Sequence, residues 1–156
     1  MASNGLKRLK ILQVNIGRAK VADDLIHAKA LEVKADLIIE PEPNKNIARK
    51  FGWIADTRSD VAIFLLNKSV CIKKITKKVG FIKINMNELA IVACYISPNI
   101  NITQYQDKVD NIFEASLTEK HVIIVSDVNS KSILWGPQKM TTKGKYGMNG
   151  FHQPTW

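Results

Sequence analysis

Five short apolar runs punctuate the chain, at residues 9–14, 37–39, 61–66, 91–96 and 122–125. Most are continuous rather than alternating and rich in valine and isoleucine, as in strands covered on both faces. Residues 70–85, "VCIKKITKKVGFIKIN", alternate loosely and read as a half-exposed strand or a pair of strands. The short linkers "NKS" at 67–69 and "NMNE" at 85–88 predict hairpins around this stretch. One helix is predicted over residues 19–34, with Val21, Leu25 and Ala28 on one face. A second follows "SPNIN": Thr103 with Gln106 has the spacing of a capping box, and Tyr105, Val109, Ile112 and Ser116 then recur at helical spacing. The pattern predicts an α/β domain with helical crossovers outside and an antiparallel meander between.

Composition narrows this picture. The 156 residues are one domain's worth of chain, and 46% hydrophobic with 24% charged residues is ordinary for a globular protein. No apolar run approaches the roughly 20 residues that span a bilayer. The start, "MASNGLKRLKILQ", lacks the apolar core and cleavage site of a secretory signal, so an intracellular location is expected. Cys71 and Cys94 sit singly in strand-like runs without a nearby histidine, and read as small buried hydrophobes rather than zinc ligands or a disulfide.

Net charge is +9, with 23 Lys and Arg against 14 Asp and Glu. That excess suits a polyanion, because each neutralised phosphate releases counterions; a lysine-rich solvated surface is the other reading. The same choice applies to Lys73, Lys74, Lys77, Lys78 and Lys83, which serve either as edge protection or as contacts to nucleic acid.

The topology has a chemical consequence. Helical crossovers keep flanking strands parallel, and two successive hairpins return the third strand to the direction of the first. The C-terminal ends of the runs then gather at one rim, where Asn15, Glu42, Tyr95 and Asp127 with Asn129 follow the strands. In "IIEPEPNKN", prolines on both sides impose extended geometry on Glu42 and hold its carboxylate off the strand end, where it serves either a hard cation or solvent. Glu40 lies nearer the buried run and is expected to point elsewhere.

In "QVNIGR", Asn15 is either a turn residue or a donor to a metal-bound carboxylate or water, and Arg18 a phosphate contact or a surface residue. Tyr95 is expected as a core ring with a wet hydroxyl. Asp127 can orient or deprotonate water, and Asn129 can hold a phosphate oxygen without adding negative charge. The bland alternative for this pair is an Asx-turn after a strand.

Taken in order, "QVNIGR", "ADLIIEPEPN", "CYISPN" and "SDVNSKSILWG" resemble the endonuclease/exonuclease/phosphatase superfamily, and more closely the apurinic/apyrimidinic-type endonuclease domain of non-LTR retrotransposons. The resemblance runs from about residue 9 to residue 144 and implies a four-layer α/β sandwich that hydrolyses a DNA phosphodiester with Mg²⁺ or Mn²⁺. By motif match, Asn15 and Glu42 take the metal side and Tyr95 stands near the attacked phosphate. Asp127 matches the water-orienting aspartate and Asn129 its phosphate-binding companion. In "MTTKGK", Thr142, Lys143 and Gly144 match a Thr followed by a basic-Gly pair, as phosphate or DNA contacts beside Arg18.

Three departures qualify the match. Ser126 stands where glycine is common before Asp-x-Asn, and Asn44 where an aromatic often follows Glu-Pro. The family's later aspartate and terminal Ser-Asp-His are not found, and His27, His121 and His152 do not match that histidine. The expectation is therefore a fold incomplete at the C-terminus: residues 1–8 a flexible N-terminus, 9–144 the truncated domain and 145–156 a divergent tail. Apolar surface left uncovered, at about 25 cal/mol per Å², is expected to leave the isolated chain marginal or partner-dependent. The expected function is a DNA endonuclease of weak or no activity, nuclear where functional, needing no membrane and no small-molecule cofactor. The alternative is a non-catalytic, basic nucleic-acid-binding remnant.

Overall fold

The computed structural model describes residues 8–20 and 22–127. Strands β1 (Ile11–Gln13), β2 (Leu37–Pro41), β3 (Trp53–Ala55) and β4 (Val61–Leu65) form one sheet in the order β1-β2-β4-β3. Strands β5 (Lys74–Lys78), β6 (Phe81–Asn85), β7 (Ala90–Tyr95) and β8 (Val122–Asp127) form a second in sequence order. The parallel pairs are β1 with β2, joined through helix α1 (Asp23–Glu32), and β7 with β8, joined through α3 (Ile102–Leu117). The remaining pairings are antiparallel. A short helix α2 (Lys45–Ala48) leads from β2 toward β3.

The continuous apolar runs have a direct cause: their strands lie between two packed surfaces. Leu37 and Ile39 of β2 meet Ile82, Ile84, Ile91 and Ala93 of the other sheet, while Ile38 turns the opposite way to Ile26 and Ala30 of α1. Val92, Cys94 and Ile96 similarly face Tyr105, Val109 and Ile112 of α3. The layers are thus helix, sheet, sheet, helix, the four-layer sandwich expected from the sequence.

Several local expectations are corrected. Leu25 is 72% exposed and Ala28 also faces solvent; Ile26 and Ala30, spaced i,i+4, form the buried stripe instead. Val21 lies outside the described residues. The capping box is Asn101 with Gln104 rather than Thr103 with Gln106, the same spacing two residues earlier. Residues 67–69 are not a hairpin, because β4 and β5 belong to different sheets. Leu66 and Asn67 donate their amides to the Asp36 carbonyl, which anchors this passage between sheets.

The 85–88 turn does close a hairpin, with Met86 N bonded to Leu89 O. The β5–β6 turn uses Gly80 at φ +82°, a backbone conformation open to glycine. Cys71, expected to be buried, is instead exposed in the inter-sheet passage, whereas Cys94 is buried as expected. Lys73, Lys74, Lys77 and Lys78 stand exposed on or beside edge strand β5. Lys83 is only 8% exposed, and its ammonium ties β6 to the end of α3 through Ala115 O, Thr118 Oγ1 and Glu119. No helix among the described residues is long and apolar enough to cross a membrane.

Candidate active site

The two parallel crossovers bring the ends of β1, β2, β7 and β8 to one rim. Tyr95 and Asp127 are register partners at the last rung of β7 and β8. Asn15, just past β1, donates its Nδ2 to Asp127 Oδ2 at 2.7 Å, a bond that joins the two sheets across 112 residues. The Asn15 amide is itself oriented, since its Oδ1 accepts from Gly17 N at 2.8 Å. Gln13 adds a parallel strut to the carbonyl of Ser126.

Glu42 departs from the extended geometry expected between two prolines. Its φ is +52°, a left-handed conformation uncommon for a side-chain-bearing residue. Two backbone bonds hold it there: Glu42 N donates to Asp60 O at 2.9 Å, and Arg18 N donates to Glu42 O at 2.9 Å. Asn44, the position that departs from the aromatic pattern, caps α2 by accepting from Asn46 N and donates to Arg18 O. The β1, β2 and β3–β4 loops are therefore fastened to one another around Glu42.

Tyr95 is 7% exposed, its ring in the inter-sheet core. Burial first, then a hydrogen bond to Glu42 and that residue's charge, push its phenol up to about 12, with Asp127 adding to the rise and a Ser97 hydrogen bond opposing it. The hydroxyl is consequently a neutral donor, and Glu42 and Asp127 both stand close enough to act on it. Arg18 is half-buried and reaches Asp60 Oδ1 at 3.2 Å, while its Nη1 is buried with no hydrogen-bond partner.

Glu40 does point elsewhere. It shares the α1-facing side of β2 with Ile38, is 1% exposed, and neither carboxylate oxygen has a hydrogen-bond partner. Burial first, and then the charge of Asp23, lift its carboxyl from 4.5 to about 7.

The structure thus collects Asn15, Arg18, Glu42, Tyr95 and Asp127 of the residues singled out by sequence. Asn129, Thr142, Lys143 and Gly144 lie outside the described residues. Sequence reasoning missed Asp60 and Asp56. The Asp56 carboxylate accepts from the amides of Arg58, Asp60, Val61 and Gly80, linking the β3–β4 turn to the β5–β6 turn. The run "DTRSD" carried an Asx-turn signal for it, but nothing local pointed to Gly80.

This is the fold of the endonuclease/exonuclease/phosphatase type: two mixed sheets packed face to face, helices outside, and polar strand ends converging at one rim. Residues 89–151 match the family model described as endonuclease-reverse transcriptase. Among solved structures, the chain is similar to the endonuclease domain of TRAS1, a telomere-specific non-LTR retrotransposon, with a TM-score of 0.72 and 20% identity, covering 92% of this chain and 69% of that one. It is also similar to humanized D. rerio TDP2 carrying 14 mutations, with a TM-score of 0.54 and 13% identity over 80% of this chain and 63% of that one. No curated protein matches it in sequence. The likeness to a non-LTR retrotransposon endonuclease domain, read from four motifs, is upheld by the family match and the fold together.

Proposed function

We propose that the rim is the active site of a divalent-metal-dependent DNA endonuclease that hydrolyses a phosphodiester. The observation that carries this reading is the Asn15–Asp127 bond at 2.7 Å between the two sheets, beside a Tyr95 hydroxyl bonded to Glu42. The donor set fits Mg²⁺ or Mn²⁺: hard carboxylate oxygens with an amide, where one or two carboxylates suffice because such an ion keeps several waters. Among the described residues no group of three or more His, Cys, Asp or Glu is placed to hold an ion. When bound at Glu42 and Asn15, the ion supplies charge stabilisation to the phosphoryl oxygen and the leaving alkoxide.

The protein's own residues do the rest. Asn15 fixes the Asp127 carboxylate so that it orients the attacking water and takes its proton. Tyr95, neutral at working pH, donates to a non-bridging oxygen of the phosphate as negative charge develops there. Arg18, in the wall of the adjoining recess, adds positive charge beside the same group. Asn129 as a further phosphate contact, and Thr142 and Lys143 as contacts to DNA, rest on the motif match alone, because they lie outside the described residues.

The test pairs Mg²⁺ titration by amide NMR with nicking of supercoiled plasmid. Wild type shows metal-dependent shifts at residues flanking Glu42 and Asp127, and nicks. Glu42→Ala abolishes both; Asp127→Ala keeps the metal response but lowers nicking by at least about 10²-fold. Spectra unchanged by Mg²⁺ would overturn the metal assignment. Salt-dependent DNA binding without nicking, indifferent to both substitutions, would instead support the non-catalytic reading that the +9 charge and the exposed β5 lysines favour.

A further inference from the structure

The ground beside Tyr95 opens in two directions. A recess of about 270 Å³ lies between the β3–β4 turn and the region leading into α3, walled by Arg18, Arg58, Asp60, Tyr95, Gln104 and Lys108 among others. A groove of about 590 Å³ continues between the β5–β6 hairpin and α3, with Lys78, Gly80, Lys108 and Asn111 in its walls and one acid, Glu114. Tyr95 and Lys108 border both.

Lys108 reaches from α3 to the β5–β6 turn. It is half-buried on α3, and its ammonium lies over Gly80, 3.2 Å from the place a Cβ there would occupy; the Tyr95 carbonyl is 3.1 Å from that same place. The missing side chain at Gly80 makes this room. Among the described residues, the ion pairs are Arg18–Asp60, His27–Asp23, Lys29–Glu32 and Lys83–Glu119, so neither Lys108 nor Arg58 has a counter-charge. In the recess three cations face one acid, Asp60, and Arg18 already engages it. A partly desolvated ammonium without a counter-ion costs free energy that an anion in the recess returns. Arg58 rides the turn that Asp56 holds by its amide, and so stands on a braced support despite its own exposure.

We propose that Lys108 and Arg58 bind the backbone phosphate adjacent to the scissile one, at the junction of recess and groove, and that the DNA strand leaves the site along the groove between the β5–β6 hairpin and α3. This rests on the reading of the rim as a phosphodiesterase site. It adds a second anion site, made by residues outside the four motifs, that sets the direction of the bound strand. Lys78, at the groove's outer wall, lies further along that path.

The experiment is equilibrium binding of the full chain to a fluorescein-labelled DNA duplex in EDTA, where no cleavage occurs, followed by anisotropy between about 50 and 200 mM salt. Lys108→Gln and Arg58→Gln are each expected to weaken binding and to lower the slope of log K against log salt, the two together by about 0.9, the one phosphate they share. Lys108→Arg restores both, and Lys120→Gln, an exposed control at the opposite end of β8, changes neither. Arg58 is exposed, so its variant reads the proposal even where Lys108→Gln unfolds. Wild-type slopes in both glutamine variants overturn the second phosphate site and leave the nuclease reading standing. A Glu42→Ala variant that loses nicking but keeps this slope separates the two claims in the other direction. No salt-dependent binding by wild type overturns both.

Discussion

Replacing Glu40 by glutamine isolates the cost of a carboxyl in the interface between β2 and α1. The residue is 1% exposed with both oxygens unpartnered, and burial, aided by Asp23, lifts its carboxyl from 4.5 to about 7. Below pH 4.5 the group is protonated in both folded and unfolded chains and makes no difference to stability. Between 4.5 and about 7 the unfolded chain releases the proton and the folded chain keeps it, so stability falls as pH rises. Above that window both states are ionised and the penalty is constant. At about 1.4 kcal/mol per pH unit the penalty reaches about 3 kcal/mol. Glutamine has nearly the shape and polarity of the protonated acid but no charge to bury. Urea unfolding followed by circular dichroism should therefore find the two proteins equally stable near pH 4.5, and Glu40→Gln ahead by about 3 kcal/mol at about pH 8. Taking the difference cancels other titrating groups common to both chains. Stability curves that stay parallel from acid to alkaline pH would show that the buried Glu40 carboxyl carries no such penalty.

Two further outcomes follow from other buried or paired groups. Asp56→Ala removes the acceptor of four backbone amides, two of them in buried bonds, and is expected to cost about 4 kcal/mol, with Asp56→Asn costing roughly half; urea midpoints close to wild type for both would exclude the clamp. Glu119 is held below the usual carboxylate range first by its hydrogen bond from Lys83, then by Asn85, so it contributes stability above that range which is lost as pH falls. In Lys83→Met the Glu119 carboxyl should titrate at higher pH by NMR and the acid loss of stability should become shallower; an unmoved titration would show that Lys83 is not the cause.

Sequence alone determined the parts that live in short windows. The continuous runs at 37–39, 61–66 and 91–96 became strands buried on both faces, because a strand between two layers needs apolar side chains on each side. Tyr105, Val109 and Ile112 marked the buried stripe of α3 through helical spacing. Strand-end positions of Asn15, Glu42, Tyr95 and Asp127 were legible because parallel crossovers send those ends the same way. Windows of that size failed at α1, where Leu25 with Ala28 was read as the apolar face and packing against Ile38 buries Ile26 with Ala30 instead.

The tertiary structure alone decided what long-range closure creates. It split the strands into two sheets at 67–69, where Asp36 receives two amides from a segment about thirty residues away. It turned Glu42 into a left-handed conformation that Asp60 and Arg18 hold, against the extended preference of the residue before proline. It bonded Asn15 to Asp127 across 112 residues and laid Lys108 over a glycine on another hairpin. Propensity and periodicity act over a few residues, and carry no information about which distant groups a register brings within 3 Å. Hydrogen bonds of that reach form only once the layers have packed, and this site is built from them.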